Sequence, residues 1–470
     1  MKIAFLHYHL KPGGVTTVIQ QQVRCIKKRC ETLVLYGDPP FPEGFPGPAI
    51  HVPGIGYNAD HQAHFKPQEL AQRVIDAIKT RWPTGCDLLH VHNPTLAKNR
   101  HLLDLLDILK DQGLCLFLQI HDFAEDGRPG AYFRRSYPEN CHWGVINSRD
   151  HGLLKAAGLT DRGLHRIANT VTPLSVSAHG VAPKPRVLYP IRAIRRKNIG
   201  EAILLSRFLP EGEHLAITLP PNSPADQRSY ADWKRFCKNR HMAVDFEVGL
   251  HEPFPRLVQQ SRSLVTTSIT EGFGFSFLEA WTAGKLLWGR RLTLICADFV
   301  QNGIDLSHLY EGIQTPLAWI DTERFASGFK AAMAHAAQRF GYRLNTGALE
   351  AFMEARKTAG TVDFGQLHES HQKRAIHRVI NDKTAARRLI DLNPWLENPG
   401  WVKNDQRLID NNRSAVARAY SSEAYGDTLM DIYTRVRTNT VTHRINKRKL
   451  LDAFLCPESF CLLKWCDYDL

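Results

Sequence analysis

Leu264-Val265-Thr266-Thr267-Ser268 runs through Ile269-Thr270 into Glu271-Gly272-Phe273-Gly274-Phe275-Ser276-Phe277-Leu278-Glu279-Ala280. The first five residues read as a short buried strand, and Phe275–Ala283 reads as a helix. Between them lie glycines, which let a backbone approach a ligand closely, and the N–H groups at a helix start suit a phosphate or a sugar hydroxyl. Glu271 falls in the turn and Glu279 about two helical turns later. At 1.5 Å rise per residue the two are at most roughly 12 Å apart, about the reach from the sugar to the ribose of a nucleotide sugar. Each carboxylate can accept a pair of hydroxyl protons. The bland alternative is a capped surface helix with two solvated glutamates.

The same strand–turn–helix alternation extends outward. Upstream lie strand Arg186–Tyr189, helix Ile199–Phe208, strand His214–Leu219, helix Ala225–Lys238, strand Val244–Val248 and a short helix Phe254–Ser261. Residues 187–400 therefore read as one α/β domain, although 300–400 is helical without a clear period. Residues 1–172 read as another. They contain strand Ile3–His9, helix Thr16–Lys28, strand Thr32–Tyr36, a proline-rich loop Asp38–Pro48 and strand Leu88–Val91. A helix capped by Asn93 and ending near Asp111 follows, with strands Leu114–Ile120 and Trp143–Asn147 after it. Leu114–Ile120 is almost wholly apolar, the type buried on both faces of a parallel sheet. Residues 173–186, with three prolines and no hydrophobic period, read as a linker. Pro394 and Pro399 suggest a break before a last long helix, Arg413–Arg435, in a segment 401–470 expected to return to the first domain. Two doubly wound α/β domains follow.

Further stretches carry chemistry. Arg192-Ala193-Ile194-Arg195-Arg196-Lys197-Asn198 follows the first strand of the second domain. Fixed cations there can neutralise a leaving diphosphate without a metal; a basic loop of no special role is the alternative. Lys11-Pro12-Gly13-Gly14-Val15 follows the first strand, and a plain strand–helix turn explains it equally well. Gln119-Ile120-His121-Asp122-Phe123 ends an apolar strand, where ligands of open α/β sheets gather. His90-x-His92-Asn93 also ends a strand, and reads as a wall of an acceptor site or, alternatively, as a metal-ligand pair. The sole Asp-x-Asp, Asp467-Tyr468-Asp469, lies at the extreme tail, and Glu125-Asp126 gives no coordination pattern, so no metal and no cofactor are expected.

Glu271-x7-Glu279 resembles the signature of retaining GT-B glycosyltransferases, above all family 4. The resemblance covers roughly residues 1–290 and the final helix, where Tyr420, Tyr425 and Tyr433 are similar to the family's C-terminal crossover. It implies two domains facing across a cleft, donor on the second and acceptor on the first. By resemblance Glu271 holds donor-sugar hydroxyls, Glu279 the ribose, and Gly272, Phe273 and Gly274 offer backbone N–H groups. Arg192 and Lys197 match an Arg-x4-Lys pair that stabilises the diphosphate, with Arg195 and Arg196 as extra charges off that spacing. Gly13 and Gly14 match a turn near donor phosphates or acceptor, and His121 a residue that hydrogen-bonds a sugar hydroxyl near the anomeric centre. Ile191, where the family has glycine, and Leu286, where it has proline, depart from the pattern. The implied activity is transfer of a sugar from a nucleotide-diphosphate donor to a hydroxyl acceptor with retention. A non-catalytic nucleotide-sugar- or partner-binding protein on the same fold is the alternative; a phosphorylase or nucleotide-sugar epimerase is another.

The bulk properties agree with this reading. At 470 residues two domains are natural, and the formal net charge of +13 favours anionic partners: a nucleotide, a phosphorylated acceptor or an acidic membrane surface. No basic segment is interleaved with aromatics, so nucleic acid is not expected. The ten cysteines contain no C-x-x-C pair, and Cys456, Cys461 and Cys466 fit no usual zinc spacing, which suggests a reduced cytoplasmic chain. The tail from Lys447, with Phe454, Phe460, Leu462, Leu463 and Trp465, is expected either to pack on the first domain or to touch a membrane.

Overall fold

The structure, a computed structural model, describes residues 1–57, 65–174, 182–400 and 405–466. Half of the expected linker (its residues 175–181) and the Asp467–Asp469 motif lie outside the described residues. The chain divides into two compact units: Met1–Thr170 with Tyr420–Phe454, and Val171–Ala419 with Leu455–Leu470.

The first unit is built on strands β1 (Lys2–His9), β2 (Glu31–Asp38), β3 (Ala49–His51), β4 (Leu88–His92), β5 (Leu116–Ile120), β6 (His142–Val145) and β7 (Leu164–Arg166). Their order is β3-β2-β1-β4-β5-β6-β7, and every pairing is parallel. The apolar runs expected to be strands are buried because both faces of a parallel sheet are covered. Sheet order reverses between β1 and β4, so their carboxyl ends open side by side, the place where doubly wound sheets bind ligands. Asn93 does not cap a helix. It adopts a left-handed conformation (φ 53°), and its Oδ1 accepts the N–H groups of His121 (2.8 Å) and Asp122 (3.1 Å). It thus closes the end of β5, and the helix begins only at Leu102.

The expected last helix Arg413–Arg435 is two helices, Gln406–Ala419 and Ser422–Thr438. The break is local chemistry: Ser421 is extended, and its hydroxyl accepts the Ala424 N–H, capping a new helix. Gln406–Ala419 belongs to the second unit and Ser422–Thr438 to the first. The latter buries Tyr425, Leu429, Ile432, Tyr433 and Val436 among Ile3, Phe5, Ile19 and Val23. A buried polar ladder fixes it there. Gln22 Nε2 donates to the Tyr425 hydroxyl (2.8 Å) and to Gln119 Oε1 (2.9 Å). His90 joins the same ladder through Gln119 Oε1 (2.9 Å) and the Tyr433 hydroxyl (2.9 Å).

The tail divides as well, which corrects its placement on the first unit alone. Phe454 packs on Phe123 of the first unit (5.4 Å between rings). From Leu455 the chain joins the second unit. There Phe460 meets Phe329 (5.4 Å), Trp465 stacks on Phe460 (5.3 Å), and the Arg195 guanidinium donates to the Cys466 carbonyl. Leu462 and Leu463 are buried. The apolar side chains proposed for lipid contact are thus buried within the chain, except Trp465, which is half-buried. Among the described residues no helix is long and apolar enough to cross a membrane.

The second unit has strands β8 (Arg186–Arg192), β9 (His214–Leu219), β10 (Val244–Phe246), β11 (Ser263–Thr266) and β12 (Leu286–Gly289), all parallel in the order β10-β9-β8-β11-β12. The stretch 300–400 holds an antiparallel pair, β13 (Gln314–Pro316) with β14 (Thr361–Asp363), and helices Thr322–Phe340, Thr346–Ala359, Glu369–Asn381 and Lys383–Leu392. Arg290, directly after β12, ties this stretch to the sheet. Its guanidinium bonds both oxygens of the buried Glu201 (2.9 and 2.5 Å) and both of Asp363 (2.8 and 2.8 Å), and Tyr310 also donates to Glu201 (2.7 Å).

Removing one partner of a buried ion pair leaves the other charge without compensation. Arg290→Met should therefore lower unfolding stability in urea by about 3–5 kcal/mol, and adding Glu201→Gln should recover part of the loss. An unchanged urea midpoint would show that Arg290 does not anchor the 300–400 stretch.

Candidate functional site

In the second unit sheet order reverses between β8 and β11. The loops leaving those two strands hold Arg192–Asn198 and Ile269–Gly274. Several bonds clasp them together. Ile269 N–H donates to the Arg196 carbonyl (3.1 Å), the Tyr189 hydroxyl to the Lys197 carbonyl (2.5 Å), and the Thr267 hydroxyl to the Asn198 carbonyl (3.0 Å). Asn198 sits in the left-handed region (φ 52°), which asparagine tolerates, and starts the helix Ile199–Ser206.

This clasp brings Lys197 onto Glu271, although 74 positions separate them: Lys197 Nζ donates to Glu271 Oε1. Arg196 Nη1 reaches Glu271 Oε2 (3.3 Å) and the Thr270 carbonyl (2.9 Å). Glu271 is 9% exposed. Burial would raise its carboxyl, but Lys197 and then Arg196 outweigh burial and hold it below the ordinary carboxylate range. Glu279 is half-buried; burial raises its carboxyl, with Lys197 opposing. Gly274 has φ +90°, and a Cβ there would come within 3.0 Å of Phe277 and 3.1 Å of Ile295, so this turn position requires glycine. Phe273 is buried against Phe275 and Phe299 (4.9 and 5.7 Å), which fixes the Gly272–Gly274 backbone.

Arg192 is not part of this cluster. It is exposed, and its Nη1 donates to the Pro220 carbonyl (3.0 Å). The β8–β9 register shifts between Tyr189 and Arg192, an irregularity no spacing rule anticipates. Arg196, expected to be an extra charge, stands beside Glu271 instead. Arg195 is structural. Its Nε and Nη2 bond both oxygens of buried Glu369 (2.5 and 2.8 Å), and its N–H donates to Asp226 (2.9 Å).

In the first unit, a cavity of about 260 Å³ lies beyond β1 and β4, lined by Gly13, Gly14, Tyr8, Tyr57, Lys98 and Arg128 among others. Neither glycine is demanded by the fold: a Cβ on Gly13 comes no closer than 3.8 Å to another atom, and one on Gly14 meets nothing within 4 Å. His121, at the end of β5, is 9% exposed, and its Nε2 lies 2.8 Å from His92 Nδ1 with the rings 9° from parallel. Burial pulls its imidazole down to about 4, against the opposing charge of Asp122. His90 and His92 are not walls of a site; both are fully buried, and among the described residues no group of three His, Cys, Asp or Glu side chains could hold a metal ion. The sequence reading gave Arg196 only as an extra charge, Asn93 as a helix cap and His92 as an acceptor wall, and it did not anticipate their contacts with Glu271, the His121 backbone and the His121 ring. Only the strand-end position of Asn93 and His92 was a signal.

No family model matches the chain. It is 26% identical over 331 residues to the mannosylglucosyl-3-phosphoglycerate synthase of Petrotoga mobilis, a match spanning 62% of this chain and 65% of that protein. Among solved structures it is similar to HepE of Anabaena in complex with UDP and glucose (TM-score 0.52, 14% identity, 92% of this chain and 98% of the other). It is also similar to the sucrose-phosphate synthase of Thermosynechococcus elongatus (0.53, 14%, 92% and 98%) and to the catalytic domain of starch synthase IV from Arabidopsis thaliana bound to ADP and acarbose (0.52, 10%, 93% and 99%). The fold of the chain is GT-B, two units each on a parallel sheet.

Two outcomes follow from this geometry. Arg195→Ala should destabilise the second unit by roughly 3 kcal/mol or more, because Glu369 stays buried without its partner, whereas Arg196→Ala should leave the unfolding midpoint nearly unchanged. Equal midpoints for the two variants would contradict the division of roles. The first unit should also be acid-labile. Burial pulls the imidazoles of His7, His90 and His121 down from 6.5 to about 3, 3 and 4 in the folded state. The unfolded state therefore binds more protons below pH 6.5, and stability is lost as pH falls from 6.5 toward 4, by about 1.4 kcal/mol per pH unit for each such histidine. Urea midpoints measured from pH 7 to 4.5 check this, and a flat profile would contradict it.

Proposed function

We propose that the chain transfers a sugar from a nucleotide-diphosphate donor to a hydroxyl acceptor, with retention of anomeric configuration and without a metal. The observation that carries this reading is Glu271: a nearly buried, ionised carboxylate held by Lys197 and Arg196 at the switch point of the second sheet. Such a carboxylate accepts hydroxyl protons from the donor sugar. Lys197 has three N–H donors, so it can keep Glu271 and still meet a phosphate oxygen. Arg192, exposed on the same loop, would take the outer phosphate, and Glu279 the ribose hydroxyls. The Petrotoga relative and the UDP-bound HepE structure support a nucleotide-sugar donor.

In the reaction, the bond between the anomeric carbon and the diphosphate oxygen breaks, and its electron pair stays on the diphosphate. The acceptor hydroxyl oxygen bonds to the anomeric carbon from the same face, and its proton passes to the leaving diphosphate. Lys197 and Arg192 stabilise the charge that grows there. The acceptor would enter the first-unit cavity, where Gly13 and Gly14 leave room. The relative's name gives a product bearing phosphate and glycerate, and Lys98 and Arg128 suit an anionic acceptor of that kind.

Lys197→Ala should lower kcat by about two orders of magnitude while donor Kd changes less, because the charge it meets develops in the transition state. Activity should survive EDTA. Donor binding without turnover, for any acceptor tried, would favour a non-catalytic binding protein. A kcat unchanged in Lys197→Ala would remove the diphosphate role.

A further inference from the structure

His92 and His121 end neighbouring strands, β4 and β5, and their rings share one hydrogen bond, His92 Nδ1 to His121 Nε2 at 2.8 Å. His92 is 1% exposed, and burial drives it and His121 well below the ordinary imidazole range. Both rings are therefore neutral at pH 7, each carries a single proton, and one of them must donate to the other. The remaining nitrogen of His92, Nε2, is fully enclosed and has no partner among the described residues. A buried N–H without an acceptor is rarer and costlier than an unused lone pair. The proton of His92 thus belongs on Nδ1, where it is used.

We infer that His92 is a positioning residue: its Nδ1–H donates to His121 Nε2, which fixes His121 as the Nδ1–H tautomer and makes it a hydrogen-bond donor to a substrate oxygen at the carboxyl edge of the first sheet. The role in transfer rests on the function proposed above; the tautomer itself does not. Three contacts hold the pair in register. His92 stacks on His90 (4.4 Å, 26°), His90 is held by Gln119 and Tyr433, and the Asn93 side chain fixes the His121 backbone. Among the described residues His121 Nδ1 makes no hydrogen bond, so the tautomer leaves a free N–H at the carboxyl edge of the sheet. The opposite tautomer would present a bare lone pair, which accepts from a hydroxyl but cannot donate to an oxygen.

The test is the imidazole nitrogen spectrum of the full chain labelled with 15N-histidine, with His121 assigned by the signals lost in His121→Gln. The expected result is a neutral His121 protonated at Nδ1. His92→Leu should convert it to a mixture containing the Nε2–H form, and His92→Asn, whose amide nitrogen can stand in for Nδ1, should restore it. Transfer should follow: His92→Leu lowers kcat about tenfold, the scale of one hydrogen bond, with donor KM changing less, and His92→Asn recovers it. An Nε2–H His121 in the unaltered chain overturns the inference, as does a tautomer insensitive to His92→Leu or a kcat insensitive to it. If His92→Leu does not fold, the unaltered chain and His92→Asn decide. A confirmed tautomer in a chain that turns over no nucleotide sugar would sink the proposed function instead, leaving the assignment in place.

Discussion

The reversal of strand order between β8 and β11 is the constraint on which the site depends. Parallel strands point their carboxyl ends the same way, so at the reversal two loops emerge side by side with nothing between them. The Arg196, Lys197 and Asn198 carbonyls are then taken by Ile269, Tyr189 and Thr267 of the strands and loop beside them. Glu271 and Lys197 are left in contact, largely removed from water. In that setting a carboxylate costs a great deal of free energy unless a cation stays beside it, and both Lys197 and Arg196 do. The arrangement is polar and preorganised, as a site for hydroxyl and phosphate groups must be.

The same logic operates elsewhere in the chain for a structural purpose. Arg290 between Glu201 and Asp363, and Arg195 on Glu369, are buried cations with complete sets of carboxylate bonds. With their guanidinium groups on these carboxylates, and Arg195 also on the Cys466 carbonyl, they hold the 300–400 stretch and the tail. The first unit does the equivalent with neutral groups, through the Gln22, Gln119, His90, Tyr425 and Tyr433 ladder that seats the returning helix.

What could be read from the amino-acid sequence was what local periodicity and turn chemistry encode. Leu264–Ser268 followed by Gly272 and Gly274 announces strand, turn and helix, and Gly274 indeed occupies a conformation that needs glycine. Leu114–Ile120 announces a central parallel strand. What escaped depends on partners distant in sequence or on small irregularities. The bulge near Arg192 leaves that side chain on Pro220, and Arg196 stands beside Lys197 and Glu271 instead. The 300–400 stretch owes its position to Arg290, whose partners lie 89 and 73 residues away. Asn93 satisfies a neighbouring strand instead of its own helix, and Ser421 breaks a helix whose apolar period runs on.

Calorimetric titration with a nucleotide sugar and with its bare nucleoside diphosphate tests whether Glu271 grips the sugar of a nucleotide sugar. UDP-, GDP- and ADP-glucose are each compared with UDP, GDP and ADP, on the unaltered chain and on Glu271→Ala. One nucleotide sugar should bind the unaltered chain more tightly than its diphosphate, and Glu271→Ala should remove this difference while leaving affinity for the diphosphate nearly intact. A sugar-dependent difference of the same size in both proteins would contradict it, as would the absence of binding by every nucleotide tried.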